Sequence, residues 1–451
     1  MDYSQELHKI AGNLLFLKIF QTFRIAIQPK SMIIAFLAVV IIFLSGWMLD
    51  ISNSVIKTDD GLNELDIYLT APELVGQYIE LHKSTAKRAG VFTTLSTFYS
   101  QKFNSAVVSL LQLNFQNFSK DVNDCTAAVR WAFQYHTVYA VIFTLIKLAI
   151  ISLAGGAICR FTALQFSQGQ KPGLFEVLRF STGRFFSLFF SLLVLCTIIA
   201  VLGSLIILLG LVANIPHAGE LIMSILFPLA LILGIVIAIM TIGAIAGFNL
   251  MYPAIAYEGT DCFEAVSRSL SYVYTKPWRI VFYYITAIIY GAICYLFVRF
   301  FLFLVLFMTR LFLNIGIFVK NSSNEADKLN AIWPKLNMMD FLGYSVTASN
   351  NWSESAAAFI IYLCLMLVAA VLISFVVSFS FTANSIIYSL MRNRVDGTNL
   401  NEIYIHIDDY SEQLPDENAS ISTADSARES TAAESLKAES DDDTPTESEA
   451  Q

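Results

Sequence analysis

Charge is what this sequence has least of. Only 14% of its 451 residues are Asp, Glu, Lys or Arg, against about 25% in soluble proteins, which excludes an ordinary water-soluble enzyme. Catalytic signatures are missing as well. The five histidines (His8, His82, His136, His217, His406) include no pair at metal-ligand spacing, and there is no HExxH, GxSxG or P-loop. The six cysteines form no CxxC, and only Cys125 lies in a segment expected on the outer side, which excludes a disulfide framework for lack of partners. No basic patch exceeds what membrane topology requires, so nucleic acid is not an expected partner. No catalytic residue, metal or cofactor is expected, and the chain does not read as an enzyme.

What is present is apolar. Hydrophobic residues make up 56% of the chain, with 36 Phe, 19 Tyr and a mean hydropathy of +0.62. Six runs reach the roughly 20 residues needed to cross a ~30 Å hydrocarbon layer as a helix. They lie near 31–49, 137–159, 185–211, 221–252, 280–308 and 356–390, and none contains Asp or Glu. The fold class is therefore all-α, a polytopic membrane protein with six transmembrane helices. Spans three and four are separated only by a link around Ala213–Glu220, which makes them a tight hairpin. Arg299 closes about 20 residues counted from Ile280, enough for one crossing, so Phe301–Met308 is expected to lie in the interface or re-enter.

The net charge of -8 belongs to one end. Residues 415–451 hold 11 acidic and 2 basic residues, a net of -9, which leaves -8 - (-9) = +1 for residues 1–414. The acidic, Ser- and Thr-rich composition predicts a disordered tail that extends from the membrane and attracts basic partners, after a juxtamembrane segment over 395–414. Orientation follows from the short loops. One side collects 13 basic residues: Lys9, Lys18, Arg24, Lys30, Arg160, Lys171, Arg179, Arg184, Arg268, Lys276, Arg279, Arg392 and Arg394. Both termini should be cytoplasmic, as in a multi-pass protein of the plasma membrane.

Amphipathic segments flank the spans. Residues 1–30 place Ile10, Leu14, Leu17, Phe20 and Phe23 among Lys9, Lys18 and Arg24, the pattern of an interfacial helix and not of a cleaved signal. Leu174–Arg179 before span three and Cys262–Arg268 before span five have the same form, which fits either three units of interfacial helix plus hairpin or the basic residues that end any cytoplasmic loop. The outer segment 50–136 carries a long amphipathic stretch from Phe92 to Leu113 that should lie on the outer membrane surface or cap the bundle, and the second outer loop, 310–355, can pack against it. That outer helical loop is a second surface for partner proteins.

Within the spans, Lys147 stands near the middle of span two with no acidic residue to pair with. It is either a site for an anionic group or a lysine that snorkels to water. Arg299 falls at the outer interface. Gly243 and Gly247 form a GxxxG at the end of span four, which lets helix backbones approach, within the chain or between copies. Pro228 should bend span four. After span four comes Tyr252–Asp261, leading through Arg268 to Pro277-Trp278-Arg279. Asp261 and Glu264 suit a capping box for the helix between, and Glu258 can pair with Arg268 across the turn, giving a rigid elbow.

This elbow carries a resemblance. A helix ending in Pro253, then Glu258-Gly259, Ala265-x-x-Arg268-Ser269 and Pro277-Trp278-Arg279, resembles the six-span membrane domain of glycerophosphodiester phosphodiesterases. Tyr388–Thr398, with Glu402-Ile403-Tyr404, looks like the C-terminal signature of related uncharacterised, planctomycete-type bacterial membrane proteins. The resemblance implies the six-helix fold and a bacterial inner-membrane location, with no catalytic residue. The expected function is a non-catalytic membrane module that organises lipids or anchors partner proteins. A transporter or lipid exporter with a cavity near Lys147 is the alternative, and an intramembrane enzyme comes last.

Overall fold

A computed structural model describes residues 15–52, 54–58, 62–82, 87–215, 219–316, 329, 332–333 and 352–404. The expected acidic tail, most of the loop 310–355 and residues 1–14 lie outside them. Leu15–Gln21 forms a 3-10 helix and Thr22–Ala26 an α-helical turn. Pro29, suited to a first helical position because it has no N–H to satisfy, then opens α1 (Pro29–Leu49). Two strands follow that hydropathy did not signal: β1 (Val55–Lys57) pairs antiparallel with β2 (Lys87–Ala89), with Val55 opposite Ala89. Short helices Glu64–Thr70 and Val75–His82 lie between them.

The expected amphipathic stretch is a helical hairpin, α2 (Val91–Leu111) and α3 (Phe115–Tyr135), packed on its own small core around Trp131, Leu65 and Phe98. Asp50 ties this outer unit to span one. Its carboxylate accepts bonds from the N–H groups of Phe92 (2.7 Å) and Thr93 (2.8 Å) and from the Thr93 hydroxyl (2.8 Å), so a side chain 41 residues away caps the start of α2. Gly90 makes room, because a Cβ there would overlap the Asp50 carboxylate.

The remaining elements are α4 (Thr137–Gln168), α5 (Leu174–Gly183), α6 (Phe185–Val212), α7 (Gly219–Gly247), α8 (Met251–Glu258), α9 (Cys262–Thr275), α10 (Pro277–Gly316) and α11 (Trp352–Val395). With α1, α4, α6, α7–α8, α10 and α11 there are six helices long and apolar enough to cross a membrane. Span five departs from expectation. Instead of ending at Arg299, α10 continues to Gly316, 40 residues in all, which at 1.5 Å each is about 60 Å. It therefore outruns the ~30 Å layer and supports the outer helices. Its backbone bonds are satisfied within the helix, so one charge costs too little to end it.

The core lies toward the end that bears the basic loops, called the basic end. There α4 is buried on every side from Ala154 to Leu164, as is α8 from Met251 to Tyr257. Small residues allow this. A Cβ on Gly155 would stand 2.6 Å from the Phe381 ring of α11, and one on Gly156 2.8 Å from the Ser181 hydroxyl. Hydroxyls add polar links where lipid supplies no hydrophobic drive: Ser31 and Ser378 lie 2.7 Å apart, and Ser378 also donates to the Ala26 carbonyl at 2.8 Å. By contrast α6 and α7 bury only three residues each, and many of their large apolar side chains, such as Ile207, Leu208, Ile225 and Ile235, are exposed, a surface suited to lipid.

Candidate functional site

Two features stand out, an ionic brace at the basic end and a cavity beyond it. The brace begins where α8 stops. Gly259 takes a left-handed conformation (φ 62°) and its N–H closes on the Ile255 carbonyl, a conformation without penalty for glycine. This turn leaves the Glu258 side chain 6% exposed, between three partners. The Tyr388 hydroxyl donates to Glu258 Oε1 at 2.5 Å, Arg392 Nε stands 3.4 Å from the same oxygen, and Arg268 pairs with Oε2. Arg268 is also held by Glu264 one turn away, at 2.7 Å. Burial pulls the Arg268 guanidinium toward neutrality, but the Glu264 bond and the Glu258 charge outweigh it and keep its pKa above the usual arginine range.

Further contacts extend the brace along α9 and α11. The Tyr272 hydroxyl donates to Asp396, and Lys276 Nζ donates to the Arg394 carbonyl. Burial, then the bond to Asp396, pushes the Tyr272 hydroxyl well above the usual tyrosine range, so it stays a donor. The elbow at Tyr252–Arg279 and the stretch Tyr388–Thr398, whose contacting residues are 118 to 134 positions apart, thus meet in one polar cluster.

The expected capping box at Asp261 does not form. Asp261 makes no side-chain cap bond, its carboxylate lies 3.8 Å from Arg184, and Glu264 is taken by Arg268. A guanidinium one turn along the helix offers two charged donors, against a single backbone N–H for the cap. Arg160, counted in the sequence only for orientation, is 2% exposed. It donates to the Ala256 carbonyl at 3.0 Å and lies 4.7 Å from the Phe180 ring centre. A cation there answers the negative end of α8, a role with no local sequence signal.

Beyond the brace lies a cavity of about 740 Å³ between α10, α11 and the outer hairpin α2–α3. Its walls are apolar, with Val107, Ile288, Phe375 and Phe379 among them, and Asn249 and Asn384 line it nearer the basic end. At the outer end Lys102 Nζ holds Asp124 at 2.7 Å and Asp121 at 3.3 Å. Burial alone would lower the Lys102 pKa, but the two carboxylates raise it above the usual lysine range. Nearby, Arg299 is 2% exposed and donates to Asn104 of α2 and to the Tyr295 hydroxyl (3.1 Å), while Tyr295 donates to Asn104 at 2.8 Å. Arg299 joins span five to the outer hairpin; the missing signal was Asn104, which lies 195 residues away.

The other residues singled out in the sequence lie apart from both features. Lys147 is on an exposed face of α4, makes no ion pair or hydrogen bond with another described residue, and does not line the cavity, so the cavity expected beside it is elsewhere. Pro228 sits on an exposed face of α7, which continues as helix through it. Gly243 and Gly247 meet Tyr274, Leu270 and Ser269 of α9, and not another spanning helix. Among the described residues no three metal-ligating side chains cluster, and all six cysteines are free.

No family model, characterised protein or solved structure matches this chain. Its six-span helical architecture makes it a multi-pass membrane protein, and anything finer has to be argued from the cavity and the brace.

Proposed function

We propose that the protein is a non-catalytic membrane module that holds a lipid-like amphiphile in the cavity between α10, α11 and the outer hairpin. The observation that carries this reading is the cavity itself: about 740 Å³, within the ~300–1,000 Å³ of small-molecule sites, apolar-walled, and built on helices already immersed in lipid. The brace serves it by locking α8, α9 and α11 to one another. On this reading the basic end faces the cytoplasm of a bacterial cell, the outer hairpin lies across the inner membrane, and the acidic tail recruits basic partners.

The test is lipid retention. Wild-type protein released from detergent micelles for native mass spectrometry should carry a lipid in one-to-one ratio. Ala292→Trp, which fills a lining position, should lose it while remaining monodisperse. Equal retention by both proteins would reject the cavity as the site. A transporter is the second reading, favoured by the 3-10 interruption of span four at Phe248–Leu250 beside the cavity, since broken helices mark many transport sites. Proteoliposome flux that Ala292→Trp abolishes would select it.

A further inference from the structure

Resting on the cavity reading, we propose that Asn249 and Asn384 form a polar subsite that binds the alcohol group of an uncharged lipid, of the diacylglycerol or long-chain alcohol class. The first observation is placement. The Glu258–Arg392 pair sets α8 against α11, and from it Asn249 lies nine residues back along span four and Asn384 eight residues back along α11. At 1.5 Å per residue both carboxamides stand about 12–14 Å inside the basic end, near the midplane of a ~30 Å layer.

The second observation is the backbone. Between α7 and α8 the helix tightens to a 3-10 turn over Phe248–Leu250, and Asn249 is its middle residue. Irregular backbone at membrane depth is tolerated where it is buried in protein or lines a cavity, and this turn lies beside one. Third, neither carboxamide bonds to another described residue, and both line the cavity, Asn249 exposed and Asn384 half-buried, so both are open to a ligand. An amide facing hydrocarbon without a partner is expensive, so a hydrogen-bonding group in the cavity is favoured.

The chemistry of the subsite selects the ligand. A carboxamide offers N–H donors and a carbonyl acceptor and carries no charge. The charged residues that line the cavity, Lys102 and Asp121, lie on the outer hairpin and bind one another. A phosphate or ammonium at the Asn249–Asn384 end would be unneutralised in a low-dielectric site, whereas a hydroxyl both donates and accepts. Ser380, one turn from Asn384 on α11, also lines the cavity and already donates to Val376 at 2.8 Å, so its oxygen remains free to accept.

The experiment measures binding of 1,2-dioctanoylglycerol, of its 3-O-methyl ether and of 1-hexadecanol to the full chain in nanodiscs. Methylating the hydroxyl removes the donor and leaves the chains in place. Wild type should bind the alcohol about tenfold more tightly than the ether, the effect of one to two good hydrogen bonds. Asn249→Leu with Asn384→Leu should bind both equally, at the ether's affinity; the relative affinities of the two alcohols identify the source. Equal affinity of wild type for alcohol and ether would overturn the subsite while leaving the cavity reading intact, and this arm needs no variant to fold. Discrimination that persists in the double variant would place the recognition elsewhere and also overturn it. Binding of neither probe, together with no retained native lipid, would reject the cavity reading and the subsite with it.

Discussion

Replacing Glu258 by Gln keeps the shape of the brace and removes its central charge. The magnitude can be worked from the geometry. Arg392 Nε lies 3.4 Å from Glu258 Oε1, which at an effective dielectric of about 20 is a gross attraction of roughly 5 kcal/mol. Much of that is offset by taking both groups out of water. The Tyr388 hydroxyl bond to the carboxylate adds about 1.5–3 kcal/mol because its acceptor is charged. Arg268, whose side chain is 38% exposed and which keeps Glu264 as a second partner, is discounted to about 1 kcal/mol or less. Glu258→Gln should therefore destabilise the protein by about 2–4 kcal/mol, with two cations left facing a neutral amide. The assay is reversible unfolding in bicelles with a double-mutant cycle. Glu258–Arg392 should couple by about 1–3 kcal/mol and Glu258–Arg268 by less than about 1 kcal/mol. A loss below about 0.5 kcal/mol for Glu258→Gln, or no coupling to Arg392, would refute the view that this cluster holds α8 to α11.

Other consequences follow from the outer unit and the spans. Asp50→Ala removes all three bonds that cap α2 and should cost about 2–4 kcal/mol, seen as faster hydrogen exchange over residues 91–95; Gly90→Ala should have the same signature, because its Cβ displaces the carboxylate. The outer hairpin should loosen in alkali. Burial pushes the Tyr99 hydroxyl up to about 12 and raises the Cys125 thiol, and the carboxylates raise Lys102 against the pull of burial. Groups whose folded pKa is raised stabilise the fold fully below their unfolded values, about 8.5–10.4, and that contribution fades as pH rises through the folded values. The protection factor over 91–135, taken after division by the base-catalysed intrinsic exchange rate, should thus be constant to about pH 8 and fall between about 9 and 12, and constant protection to pH 12 would contradict it. Lys147→Ala should leave stability and lipid retention within error of wild type, since the lysine contacts neither the cavity nor another charge; a lost lipid signal would return it to the site.

Much of the architecture was legible because membrane insertion acts on single segments. A helix crosses when its own residues are apolar for long enough, so six spans and the amphipathic segments before spans three and five could be read without knowing what each one touches. The same local logic failed where a partner intervened. Arg299 reads as a helix end until Asn104 and Tyr295 surround it. Asp261 and Glu264 read as a cap until Arg268 competes for the glutamate. Lys147 drew notice as an isolated intramembrane charge, yet the cavity lies elsewhere and is lined by uncharged Asn249 and Asn384, which no charge-based search would select.

The sequence by itself determined the class of this protein, a six-span helical membrane chain with a basic end and an acidic tail, because hydropathy and charge placement act on short stretches of chain. It also marked the elbow at Glu258–Arg268, whose members are ten residues apart. Only the tertiary structure decided that Tyr388 and Arg392 complete that elbow, that Arg160 caps α8, that Asp50 starts α2, and where the cavity opens. The four contacts join groups about 40 to 135 residues apart at hydrogen-bond or ion-pair distance, and the cavity depends on helices from distant parts of the chain. In a bundle of near-uniform apolar helices nothing in composition or periodicity specifies which faces meet; packing of small residues and a few buried polar bonds does.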